Sequence, residues 1–192
     1  MRLILASKSP RRKTLLASLG IPFDIVAPSF KEVLTPHLSP ERQVVAFASG
    51  KARSIGISDA FVLGGDTLIS IDHLLLGKPV DIADARRMLT LLQGRIHRVI
   101  TGVALIIPKG REKIWHEVTE VRMRAMSDEQ IDTYIAGKEP LDKAGAYAIQ
   151  GEGRQFIQQV HGDIDNVVGL PLRSVAMALW RHGFPVPESY LV

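Results

Sequence analysis

The sequence predicts one α/β domain over residues 1–192: a mixed, twisted sheet flanked by helices. Three observations point there. Short apolar runs of strand length sit between longer stretches with a helical period. Cap-then-proline signals open several of those stretches. Strands and helices intermix without strict alternation, which argues for a mixed rather than a wholly parallel sheet.

The elements follow in chain order. Residues 2–6 form a short buried strand. Ser9 then suits an N-cap and Pro10 the first helical position, and Leu15, Leu16 and Leu19 form an apolar stripe that stops at Gly20. "FDIVAP" makes a second strand ending at Pro28. Ser39-Pro40-Glu41 repeats the cap signal and opens a helix through Val44, Val45 and Phe47, with Gly50 a weak point inside it. "AFVLGGDTLISI" is a central strand with an aspartate set into it. Asp81 caps a helix over Ala85, Met88, Leu89 and Leu92 that ends at Gly94. "HRVITGVALII" and "EVTEVRMRAM" are strands, and the second alternates Val121, Met123 and Ala125 against Glu120, Arg122 and Arg124. Ser127 and Gln130 form a capping box. "AGAYAIQG" and "RQFIQQVHG" read as short strands, and Pro171 opens a last helix through Val175, Met177, Ala178 and Leu179 to Gly183.

Composition bounds the function. Apolar residues make up 46% of the 192, enough for a real core, and no stretch approaches a membrane span. No signal peptide is read at the N-terminus. The absence of cysteine excludes disulfides, thiolate zinc sites and a cysteine nucleophile, and fits a cytoplasmic protein. The net charge of +4 is compatible with an anionic ligand or with plain solubility. No Lys/Arg run interleaved with aromatics supports a nucleic-acid groove. Walker-type loops, GxSxG elbows and metal-ligand histidine spacings are missing too.

Two stretches carry candidate chemistry. In "ASKSPRR" a helix start offers unpaired N–H groups, Ser7 and Ser9 offer hydroxyls, and Arg11 and Arg12 offer planar forks for phosphate. Cations at a helix N-terminus oppose its dipole, so the pair either faces an anion or extends into water. In "GGDT", Asp66 sits in an apolar run, where an unpaired carboxylate is costly. It binds a divalent cation, serves as a base for water, or caps a bulge between glycines. Lys78 in "LLLGKP", and Glu32 and Lys51, are weaker signals taken alone.

"LILASKSPRR", "GGDT", "GKP", "TGVALI", "LDKAGAYAIQG" and "NVVGLPL" occur in the order found in the Maf family of nucleoside triphosphate pyrophosphatases, which the chain resembles from residue 3 to about residue 180. The resemblance implies a fold related to the inosine triphosphate pyrophosphatases, with a cleft between two lobes. It implies cleavage of a nucleoside triphosphate between its α and β phosphates, with Mg²⁺ or Mn²⁺ as cofactor. Asp66 is then the proton acceptor for the attacking water and, with Glu32, a metal ligand. Ser9, Arg12, Lys51 and Lys78 are the phosphate-binding positions. Arg11, Thr67 and Gln150 resemble the dTTP/UTP type of the family, modified pyrimidine nucleotides included, rather than the 7-methyl-GTP type. A pyrimidine's imide edge needs both a donor and an acceptor, which Gln150 offers. The chain departs from many relatives at Gly50, where a longer side chain is usual, and "GDIDNVVGLPL" matches firmly only from Asn166 onward. The implied partner is the nucleotide substrate, with neither membrane nor nucleic acid, and a homodimer is compatible. The alternatives are the 7-methyl-GTP activity and a non-catalytic nucleotide or nucleic-acid binder in division control.

Overall fold

A computed structural model describes residues 1–191. Val192, the last residue of the expected domain, lies outside the described residues. Among the described residues seven strands form one sheet: β1 (Leu3–Ala6), β2 (Asp24–Val26), β3 (Phe61–Ile71), β4 (Leu74–Leu76), β5 (Ile96–Ile107), β6 (Arg111–Met123) and β7 (Ile157–His161). The order is β2-β1-β3-β5-β6-β7, with β4 paired to β3. β1 runs parallel to both neighbours, with Ile4 opposite Asp24 and Leu5 opposite Leu63. β4 is antiparallel to β3, and β7 antiparallel to β6, so the sheet is mixed as expected.

Among the described residues six α-helices accompany it: α1 (Pro10–Ser18), α2 (Pro40–Arg53), α3 (Ile82–Leu92), α4 (Asp128–Ala136), α5 (Ile164–Val168) and α6 (Leu172–Arg181). The local signals act where the sequence places them. Ser9, Ser39 and Asp81 cap α1, α2 and α3 through their side-chain oxygens, and Ser127 with Gln130 completes a capping box at α4.

Two compact units emerge along the chain. The first holds Met1–Asp66, Thr101–Glu117 and the residues from Gly169 onward; the second holds Thr67–Ile100 and Val118–Val168. In the first unit, Ile4, Ala6, Ala48, Ala52, Ala60, Val62 and Ala104 form a buried cluster made largely of small side chains. A Cβ added at Gly64 would stand 2.3 Å from the Ala48 carbonyl oxygen, and one at Gly102 would stand 2.4 Å from the Val44 backbone. Helix α2 therefore lies directly on the strands, at a distance that only glycine permits. In the second unit, Ala85, Met88, Leu89 and Leu92 of α3 are buried, and α3 packs against α4.

Two expectations need correction. "AGAYAIQG" is not a strand: Ala144–Ala146 makes a 3₁₀ turn, with Gly145 at φ +68° and Ala146 at φ +59°, before an irregular loop. Its apolar residues are buried by tertiary contacts, without a ladder. Ala125 lies beyond the end of β6 and is exposed, so the alternation stops at Met123. Helix α2, expected from its cap signal, runs unbroken through Gly50 to Arg53, and the ring of Phe30 occupies the space a side chain at position 50 would take.

Candidate active site

The first unit gathers four charged side chains from four separate stretches. Asp66 ends its share of β3 and is 5% exposed. Lys51, in the last turn of α2, is 8% exposed, and the glycine contacts of α2 bring it against the strand. Lys51 Nζ donates to Asp66 Oδ1 at 2.5 Å and pairs with Glu32 Oε1 at 2.5 Å. Glu32 comes from the loop between β2 and α2 and is about half exposed. Two carboxylates thus meet on one ammonium.

Arg12 supplies the fourth charge. Its Nε donates to the Gly169 carbonyl oxygen at 2.8 Å, and its side chain passes over Gly65, where a Cβ would come within 3.2 Å of that Nε. Burial lowers the guanidinium pKa, the Asp66 charge opposes that shift, Arg11 reinforces it, and Glu32 opposes it. Burial pushes Asp66 up from the ordinary carboxylate value. Lys51 and Arg12 oppose this and Glu32 adds to it. The net direction is upward: a carboxylate more basic than usual, beside two cations that oppose the rise.

Asp66 has a second property. Its Oδ2 is buried and has no hydrogen-bond partner among the described residues. A buried acceptor left open costs about 1–3 kcal/mol, which a proton, a water or a metal ion on Oδ2 would offset.

The Ser9 oxygen accepts the Arg12 backbone N–H at 3.4 Å as the α1 cap. A hydroxyl that accepts can still donate, so the cap leaves its proton for a phosphate oxygen. Arg11 is half-buried on the same turn.

Thr67, Lys78 and Gln150 belong to the second unit. Thr67 is half-buried on β3, Lys78 is exposed in the bend after β4, and Gln150 is exposed in the loop that follows Ala146. That loop is held by residues the sequence reading passed over. Glu139 accepts from the Tyr134 hydroxyl at 2.8 Å, from the Gly153 N–H at 3.0 Å and from the Glu152 N–H at 3.2 Å. The Tyr134 oxygen also accepts the Ala148 N–H at 3.0 Å. Gly151, at φ +87°, has no room for a Cβ against Glu139 Oε1. The glycine pair around Gln150 was the available signal for such a clamp. Gly64 and Gly102, glycines inside apolar strands, were the signal for the close helix.

The donor set suits a small, hard cation. Glu32 and Asp66 offer carboxylate oxygens, one of them uncommitted. Among the described residues no cluster of three or more acidic, histidine or cysteine side chains stands ready to hold a metal ion. Mg²⁺ commonly sits on one or two carboxylates completed by substrate phosphates and water, so two carboxylates fit it.

The structure is thus a mixed α/β sheet in which a buried Asp66–Lys51 pair meets the half-exposed Glu32, with Arg12 at a helix start. Residues 2–182 match the model of the Maf-like protein family, and the chain belongs to that family. A dTTP/UTP pyrophosphatase from Moorella thermoacetica is 48% identical over 96% of this chain and 97% of its own length. One of the same name from Bacillus cereus is 46% identical over 98% and 99%. Among solved structures, a HAM1 protein from Coxiella burnetii superposes with a TM-score of 0.52 at 14% identity, covering 94% of this chain and 99% of that one. That likeness is one of fold. No helix among the described residues is long and apolar enough to cross a membrane.

Proposed function

We propose that this protein hydrolyses dTTP and UTP, with modified pyrimidine nucleotides in the same class, between the α and β phosphates to the nucleoside monophosphate and pyrophosphate. The observation that carries the reading is Asp66: buried, raised in basicity, anchored through Oδ1 to Lys51, and open at Oδ2. The names of the relatives that match along nearly the whole chain support the choice of nucleotide.

The reaction needs water to attack phosphorus through a shell of negative charge. Arg12 and Lys51 offset part of that charge, and their forks and donors orient phosphate oxygens. Lys51 has three N–H donors, of which the two carboxylates occupy two. The third faces substrate in this reading. Ser9 donates its hydroxyl proton to a phosphate oxygen at the start of α1. Asp66 accepts a hydrogen bond from the attacking water through Oδ2 and takes its proton as the bond to phosphorus forms. Glu32 and Asp66 would hold a Mg²⁺ or Mn²⁺ ion, which supplies Lewis-acid neutralisation of phosphate charge when bound. Lys78 is assigned to phosphate, and Arg11, Thr67 and Gln150 to selection of the base, by their match to the family's motifs. The cytoplasm, where the nucleotide pool lies, is the proposed location and suits a chain without cysteine.

The test incubates the protein with dTTP, UTP, GTP and 7-methyl-GTP plus Mg²⁺ and identifies the products. Monophosphate and pyrophosphate from dTTP and UTP are expected. Preference for 7-methyl-GTP, release of inorganic phosphate, or binding without turnover would each overturn the proposal.

A further inference from the structure

Glu32 is a loop residue and about half exposed, yet it must present its carboxylate at a fixed place. Its pairing with Lys51 is too solvated on the Glu32 side to hold a loop by itself. The loop is instead fastened on either side of Glu32 to one face of α2. Residues 43, 47, 50 and 51 are spaced i, i+4, i+7 and i+8 and share that face.

Upstream, the Phe30 ring lies 6.2 Å from the Phe47 ring, tilted by 58°. It fills the notch over Gly50, where an added Cβ would meet Phe30 Cε2 at 2.3 Å. Downstream, the Thr35 N–H donates to Gln43 Oε1 at 2.8 Å, and Gln43 is 1% exposed. Glycine is unfavourable inside a helix relative to alanine. Here it makes a seat for an aromatic ring immediately before Lys51.

We propose that Phe30, seated over Gly50, is a positioning residue that sets the Glu32 carboxylate beside Lys51 and so builds the carboxylate pair that takes the divalent cation. The inference rests on the proposed role of Glu32. Phe30 carries no group that ligates a metal, and its ring packs against Phe47 and Gly50 of α2. It acts by limiting where a solvated glutamate can go, and Gln43 closes the other end of the segment.

The experiment uses the full chain, with Mn²⁺ as probe, followed by electron paramagnetic resonance in the presence of a UTP analogue whose α–β bridge is a methylene. Thermal midpoint, kcat and KM are measured alongside. Phe30→Ala should weaken Mn²⁺ binding about tenfold, as loss of an outer support of a metal ligand commonly does. Its kcat should fall while KM for UTP changes little, and Phe30→Leu should recover most of both. Gly50→Ala should reproduce the Phe30→Ala defect by unseating the ring. Added to Phe30→Ala, it should do no further harm, because the ring it displaces is gone. Wild-type Mn²⁺ affinity and kcat in Phe30→Ala, with only the thermal midpoint lowered, overturn the inference. Glu32→Gln separates the two levels. If it also binds Mn²⁺ like the wild type, the assigned role of Glu32 falls and the inference with it. If it loses Mn²⁺ while Phe30→Ala does not, the inference alone falls.

Discussion

The two units keep their functional groups in place by different means. In the first, charged side chains stand on regular elements that touch almost backbone to backbone: Gly64 and Gly102 admit α2, and Lys51 reaches Asp66. In the second, Gln150 stands on an irregular loop, held by a carboxylate that collects one hydroxyl and two backbone N–H groups. Close packing suits a site in which unpaired charge is dangerous, since nothing can shift to admit stray water. A polar clamp suits a loop whose backbone has no ladder to satisfy it. Position in the first unit is set by size, and in the second by hydrogen bonds.

The largest expected effect lies at Asp66. Asp66→Asn should lower kcat on dTTP by about 10³-fold, roughly 4 kcal/mol of transition-state stabilisation. Because burial disfavours the ionised form, the variant should be as stable as the parent or more so, measured by urea unfolding. Normal turnover would show that the packed unit is not where the chemistry lies.

Acid should weaken the second unit. His97, 2% exposed, contacts the Tyr147 hydroxyl through Nε2 at 2.7 Å, and burial pushes its pKa down to about 4 from 6.5. The unfolded chain takes up this proton below 6.5, whereas the folded one resists until about 4. The stability tied to a neutral His97 is therefore full above pH 6.5 and is lost as the pH falls towards 4, by roughly 3 kcal/mol. His97→Gln should remove that part of the slope in chemical denaturation between pH 7 and 4. An unchanged slope would assign it to other groups.

A pair of glycines sharpens the contrast at smaller cost. Gly102→Ala drives a methyl into the Val44 backbone and should destabilise by about 2 kcal/mol, with kcat falling as Lys51 is displaced. Gly77→Ala in the second unit meets nothing nearer than Leu68 Cδ2 at 3.9 Å, and should stay within about 0.5 kcal/mol of the parent. Equal effects at the two positions would erase the distinction.

What was legible in the sequence follows the same division. Caps are local, so Ser9, Ser39, Asp81 and Ser127 could be read from the residues beside them. The cluster of Arg12, Glu32, Lys51 and Asp66 was legible through motif order; by physics alone, Glu32 and Lys51 were ordinary charges. "AGAYAIQG" was misread because its buried residues imitate a strand, while the groups that hold the loop, Tyr134 on Ala148 and Glu139 on the residues just beyond, lie outside the segment. Phe30 and Gln43 gave no sign, since their importance depends on which helix face the loop meets.

The stripe of small residues under α2 has one more consequence. A helix seated on a sheet without a cushion of side chains can neither roll nor slide without collision. In the proposed reaction Lys51 is therefore aimed before any nucleotide arrives, and little of the binding energy is consumed in turning its charge toward the triphosphate. The motion needed to admit and release substrate must fall on segments that lack such a seat.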